Sequence, residues 1–257
     1  MNLVKLITIQ TLIKLRPAIL ASLIKKLIFP NREVVETQNG TFEVDIASNF
    51  GYQLLTGGVY EQSLVKTIQN YLKPGDIFID LGANEGYFSV ITSQIVGETG
   101  RVIAIEPQLR LQPILHRNLN LNYCNNAKVL PVAVSEKSGK ASVHLSSNMN
   151  TGSSSLVQST VYPLSKQEVV TTTLSEIFQQ EDITNCGLMK IDIEGWEHEA
   201  IMGSLEIFRK HRIKVVDLEL HPQILSKRGL SAKNIIDCLI GLDFTLNESC
   251  GNTVFVC

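Results

Sequence analysis

Two stretches of the chain carry residues that could do chemistry. The first is IFIDLGANEGYF (77–88): a strand-forming run ends at Asp80, the chain passes Gly82 and Gly86, and a helix is expected to begin near Asn84. A glycine at position 82 lets backbone approach a ligand closely, and a helix start offers unpaired N–H groups and a positive dipole end. Twenty residues after Gly86, Glu106 closes the next strand, where a carboxylate can accept hydrogen bonds from both hydroxyls of a ribose. The dinucleotide fingerprint G-x-G-x-x-G is not met, because Asp80 stands two positions before Gly82. A carboxylate there repels a pyrophosphate. It suits a cationic ligand with a ribose and no phosphate, such as S-adenosylmethionine.

The second stretch has two parts, KIDIEG (190–195) and DLELHP (217–222). Side chains alternate along a strand, so Asp192 and Glu194 should point one way together, as should Glu219 and His221. Ligands of open α/β sheets bind beyond the carboxyl ends of the strands, so these ionisable groups are expected to converge there, with Ile191, Ile193, Leu218 and Leu220 facing the other helix layer. Either His221 or Asp192 is expected to act as a base, with Glu219 orienting the acceptor; histidine has the ordinary pKa for work at neutral pH. No metal is required by this first reading. A second reading places a divalent metal on Asp192, Glu219 and His221, a set that suits Mg²⁺ poorly because of the imidazole. A third is structural: Glu194 caps the next helix and His221 packs against Pro222. Lys190 shares the layer of Asp192 and would neutralise a carboxylate, and Trp196 is expected to pack in the core or stack on a ring.

These residues need a scaffold that brings strand ends together. DIFIDLG (76–82), RVIAIEP (101–107), AKVLPVAVS (127–135), GLMKIDIEG (187–195) and IKVVDLELHP (213–222) read as strands apolar on both faces, which belong between helix layers. Helical periods fall between them at 85–96, 111–122, 196–210 and 231–240. The rhythm predicts a doubly wound α/β sheet, closed by two antiparallel strands in DFTLNESCGNTVFVC (243–257). Residues 136–185 break the rhythm with two strands around a small-polar loop, 146–155, and read as an insertion whose loop has the composition of a lid. The catalytic domain is thus expected over 73–257. It is preceded by a hairpin turning at Asn39-Gly40 and a helix from Tyr60 to Leu72 within 34–72, and by a basic helical segment over 1–33.

Gly58-Val59-Tyr60-Glu61, IDLGANEGYFS (79–89), AIEP (104–107), Asn118, Asn122, GSSSL (152–156), TTL (172–174) and KIDIEGWEHEAIMGS (190–204) follow one another in a specific order. From about Gly58 to Gly203 the chain resembles the FkbM-type methyltransferases. The resemblance implies a Rossmann-like seven-stranded sheet, mostly parallel with an antiparallel last strand and helices on both faces. It implies methyl transfer from S-adenosylmethionine, usually to an oxygen of a sugar, glycan or secondary metabolite. Carried over, Asp80, Gly82, Asn84 and Gly86 hold the amino acid end of the cofactor and Glu106 its ribose. Glu61 either reaches the ammonium or lies exposed on its helix. A nicotinamide-dependent oxidoreductase and a catalytically silent binding module are the competing classes.

Composition narrows the setting. The chain has 257 residues with 23 Lys+Arg against 25 Asp+Glu, a net charge of −2, which argues against nucleic acid as a partner. Its 44% hydrophobic content supports a folded core. Five cysteines without a C-x-x-C pair point to a reduced, cytoplasmic setting. The first 29 residues contain Lys5, Lys14, Arg16, Lys25 and Lys26 and no acid. Their uncharged runs are too short to span a bilayer. Beyond Pro17, Leu20, Leu23, Ile24, Leu27 and Ile28 share a helix face, so this segment is expected either to lie on an anionic membrane surface or to cover the protein's own domain.

Overall fold

The structure, a computed structural model, describes residues 3–14, 24, 27–29, 31–145, 166–247 and 253–257. Most of the helix expected after Pro17, the small-polar loop 146–155 and the GSSSL block lie outside the described residues. At the N-terminus the described helix is Leu3–Lys14. Its Ile9 and Leu12 are buried, and Ile9 shares a core with Phe42, Leu54 and Leu64 of the segments that follow. This part covers the protein's own domain. Among the described residues no helix is long and apolar enough to cross a membrane.

Strands β1 (Glu33–Thr37) and β2 (Gly40–Val44) form the expected hairpin, but Thr37 faces Gly40, so the two-residue loop is Gln38-Asn39 and not Asn39-Gly40. Gly40 instead answers a neighbour. It has φ of 134°, and a Cβ on it would lie 2.6 Å from Asn122 Oδ1. The Asn122 amide accepts from Thr41 N at 2.8 Å and donates to Thr41 O at 2.7 Å. One turn earlier, Asn118 accepts from Glu43 N at 2.8 Å and donates to Glu85 O at 2.8 Å. The two asparagines thus satisfy an open strand edge as another strand would, and they tie the hairpin to the loop after Asp80. A helix that the sequence reading did not include, Asn49–Gly57, follows, capped by Ser48 Oγ on Gly51 N at 3.0 Å. The expected helix comes next, at Gln62–Tyr71.

The remaining strands are β3 (Ile77–Leu81), β4 (Arg101–Ile105), β5 (Ala127–Leu130), β6 (Ala133–Val134), β7 (Gly139–His144), β8 (Lys166–Thr172), β9 (Leu188–Ile191), β10 (Val215–Leu218), β11 (Thr245–Asn247) and β12 (Thr253–Val256). Seven of them form one sheet in the order β11-β12-β10-β9-β3-β4-β5. Strand β12 is antiparallel to β10 and β11, and the other pairings within this sheet are parallel. This is the expected mostly parallel sheet with an antiparallel last strand.

Alternation along the strands divides the apolar residues between two layers. Phe78, Val102, Leu188 and Val215 pack with the helices Gln62–Tyr71, Tyr87–Val96 and Gln112–Leu121. Ile79, Ile103, Met189 and Val216 pack on the opposite face with Phe178, Ile201, Phe208 and Leu239. Burial on both faces is what near-continuous apolar runs encode.

Three expectations need correction. The run 127–135 is two strands, because Pro131 supplies no N–H to a ladder; β5 stays in the main sheet and β6 pairs with β8 in a second sheet of order β6-β8-β7. The helix expected over 196–210 is broken at Gly203-Ser204 into Glu197–Met202 and Leu205–Arg209. There the backbone abuts Glu136, whose Cα would be 2.3 Å from a Cβ on residue 203. Within the expected insertion, the helix Leu174–Gln180, opened by a Thr173/Glu176 capping box, sends Leu174, Ile177 and Phe178 into the main core.

Candidate functional site

The site begins with two central strands in register, Asp80 on β3 opposite Lys190 on β9. Asp80 is fully buried: Oδ2 accepts from Ser89 Oγ at 2.6 Å, and Oδ1 lies 3.6 Å from Lys190 Nζ. Burial pushes its pKa up, against the pull of Lys190 and Ser89. Asp80 lines none of the cavities described below. Strand alternation turns it under the loop. The ammonium of Lys190 donates to Gly82 O at 3.0 Å and stands 3.4 Å from Asp192 Oδ2. Burial opposes its charge, but Asp192, Asp80 and Glu61 outweigh burial and hold Lys190 above the usual lysine range.

Above this pair the chain turns through Gly82, with φ of 83°. A Cβ here would lie 1.9 Å from the Asp192 carbonyl oxygen, so glycine is required by both conformation and space. Asn84 follows with φ of 50°, and its N–H donates to Glu106 Oε2 at 2.9 Å. Glu106 Oε1 accepts from Gln108 N at 2.9 Å. Glu106 is 3% exposed, and burial pushes its pKa up to about 7. Each oxygen keeps acceptor capacity beyond its one backbone donor, as a ribose diol requires. Gly86 serves packing instead, its would-be Cβ falling 2.6 Å from Leu115 Cδ1, and it lines none of the cavities.

The strand-end carboxylates meet as expected, although the strands themselves stop at Ile191 and Leu218 and loops carry the groups. His221 Nε2 lies 3.4 Å from Glu194 Oε2, 3.9 Å from Asp192 Oδ1 and 3.9 Å from Glu219 Oε1. Its Nδ1 is 2.9 Å from Oε1 of Glu197, a wholly buried carboxylate that also accepts from Gly195 N at 2.9 Å. Burial disfavours the imidazolium, but the Glu197 hydrogen bond and the charges of Glu194, Glu197 and Asp192 outweigh it and raise the His221 pKa to about 9. In that state the imidazole donates to the carboxylates around it. Burial raises Glu194 to about 8 and Glu219 to about 7, with Asp192 adding repulsion to both. The opposing residues Ile191, Ile193, Leu218 and Leu220 face the other layer, as read from the sequence.

Three cavities open around this group. One is lined by Gly82, Asn84, Glu106, Pro107, Gln108 and Trp196 among others. A second contains Tyr60, Glu61, Asn84, Phe88, Glu194 and Glu219. The third, of about 560 Å³, runs past Glu61, Lys190, Asp217, Glu219 and Ile236. Asp192 lines all three. Three non-glycine residues in the left-handed region, Glu61 (φ 45°), Asn84 (φ 50°) and Glu194 (φ 54°), share the second cavity. Glu61 is partly buried, not exposed on its helix, and burial raises its pKa.

Sequence reading missed two features. Lys190 was expected to neutralise a carboxylate, not to hold the glycine turn by its carbonyl. Phe50 and Tyr60 of the lead-in segment and Tyr87 and Phe88 of the helix after Asp80 form one aromatic cluster with ring centroids 5.1–6.3 Å apart and line the cavity that holds Glu61, a surrounding favourable to an organic cation. No spacing in the sequence signals that meeting.

The model of the methyltransferase FkbM domain matches residues 80–253. No curated protein matches the chain. Among solved structures, methyltransferase FkbM from Methylobacillus flagellatus is 15% identical, with 75% of this chain and 50% of that one covered and a TM-score of 0.44. This chain thus spans half the length of that protein. A SAM-dependent methyltransferase from Aquifex aeolicus is 16% identical over 76% of this chain and 87% of that one, with a TM-score of 0.43. Fibrillarin from Aeropyrum pernix, solved with S-adenosyl-L-methionine bound, is 12% identical over 72% and 66%, with a TM-score of 0.40.

Proposed function

The chain belongs to the FkbM methyltransferase domain family, and from that premise we propose that it transfers a methyl group to a hydroxyl oxygen of a sugar, glycan or secondary metabolite. The donor is S-adenosylmethionine. The described residues fit it: Glu106 would hold the ribose hydroxyls, the backbone at Gly82 and Asn84 the amino acid end, and Glu61 its ammonium. When bound, it supplies a sulfonium methyl open to in-line displacement.

The observation that carries the acceptor reading is the position of Asp192, on the wall of all three cavities and beside Glu194 and Glu219. Glu219 would hold the acceptor in the large cavity. The carboxylate cluster would take the hydroxyl proton as the oxygen bonds to carbon, and His221, anchored by Glu197, would fix the geometry of the cluster. Alignment supplies most of the rate, since well-oriented reactants reach effective molarities of about 10⁵–10⁸ M, and a positioned base adds about 10²–10⁴.

Radiolabelled methyl transfer to panels of hydroxylated and amine acceptors tests the reading. Label on an oxygen, lost in Asp192→Asn with donor affinity kept, is the expected result. Label on nitrogen alone, or full turnover by Asp192→Asn, would refute it.

A further inference from the structure

The carboxylates gathered around one imidazole ask for a positive centre. Glu197, Glu194, Asp192 and Glu219 stand 2.9, 3.4, 3.9 and 3.9 Å from the ring nitrogens of His221. Lys190 approaches from β9 on the far side of Asp192, at 3.4 Å, and shares its charge with Asp80.

The imidazole is also oriented. Its Nδ1 is tied to the wholly buried Glu197, which Gly195 N holds in turn, so Nε2 is the nitrogen offered to the other three acids. A histidine pinned through one nitrogen by a buried carboxylate, with the other nitrogen among carboxylate oxygens, is how proteins prepare an imidazole to bind metal. Glu197 supplies a second sign: its Oε2 is buried and has no hydrogen-bond partner among the described residues, so this carboxylate depends on charge nearby for compensation.

One ligand atom each from Asp192, Glu219 and His221 lie within 4.8 Å of one another. Around a cation with bonds of about 2.1 Å, ligand atoms at the tetrahedral angle stand about 3.4 Å apart, so the side chains must draw together by about an ångström. The side chains of Asp192 and Glu219, 26% and 54% exposed, have room to do so.

We propose that Asp192, Glu219 and His221, the last giving up its Nε2 proton, bind one divalent transition-metal cation, of the Mn²⁺ or Zn²⁺ kind, at the floor of the acceptor cavity. The mixed set of one imidazole and two carboxylates selects such borderline ions over Mg²⁺ and Ca²⁺, which take oxygen. The use of the cation rests on the methyltransferase reading. An acceptor hydroxyl bound to it would lose its proton to Glu194 more readily, and the resulting oxygen would form the new bond to carbon while the bond from that carbon to sulfur breaks.

The test needs neither donor nor acceptor, so its failure is distinct from failure of the methyltransferase reading. The full chain, stripped with a chelator, is titrated with Mn²⁺ followed by electron paramagnetic resonance, and with Co²⁺ followed by visible absorption. One ion per chain is expected, weakened about tenfold or more in His221→Ala and in Glu219→Gln, with the Co²⁺ bands altered by the histidine change. Glu219 is half exposed, so its variant keeps the test decisive if His221→Ala does not fold. No binding of either ion by folded protein, or binding indifferent to both substitutions, would overturn the site.

Discussion

At the scale of residues, the account rests on Glu106 and Lys190. Glu106 is raised to about 7 by burial in the ligand-free molecule, yet a ribose diol must donate to the carboxylate form. Donor affinity should therefore rise with pH up to about 7 and level off above it, with proton release on binding below that point, measurable by calorimetry in buffers of different ionisation enthalpy. The sign for folding is opposite. Because the folded protein keeps a proton that the unfolded chain gives up near 4.5, this group's contribution to stability falls as pH rises from about 4.5 to 7. Lys190→Met would leave Asp80 and Asp192 facing each other without their cation. A loss of about 3–5 kcal/mol in denaturant unfolding is expected, the cost of breaking a buried pair by removing one partner. A loss near zero would mean that the lysine is incidental to the glycine turn.

At the scale of elements, the hairpin is held by side-chain amides. Asn118→Ala leaves Glu43 N–H and Glu85 C=O without their bonds, and a destabilisation of about 1–3 kcal/mol is expected, with faster amide exchange in β2 on hydrogen-exchange mass spectrometry. This level also shows what a sequence can and cannot state. The strands at 77–81 and 101–105 were legible because burial on both faces leaves an unbroken apolar run. The turn at Gln38-Asn39 was not, because Gly40 is explained by Asn122, 82 positions away in the chain. The broken helix at Gly203 has the same cause, a distant segment pressing on backbone. Glu106 and the strand-end acids were found from position along strands alone. The withdrawal of Asp80 was also implicit in strand alternation, but only pairing with Lys190 revealed what it serves.

At the scale of the whole molecule, the N-terminal helix belongs to the same core as the lead-in elements, whose Phe50, Tyr60 and Glu61 line the aromatic cavity. Ile9 is fully buried among them, so Ile9→Ala should cost about 2–5 kcal/mol, read as a lower urea midpoint. An unchanged midpoint would show that the helix is not docked. The central claim is that this sheet presents a buried carboxylate to the ribose of S-adenosylmethionine. Calorimetric titration of S-adenosylhomocysteine into the full chain and into Glu106→Gln measures it most directly. One bound equivalent is predicted, weakened about tenfold or more by the substitution, since hydrogen bonds to a charged group contribute about 1.5–3 kcal/mol. Folded protein that takes up no ligand, or binds it equally with glutamine at position 106, would contradict the account.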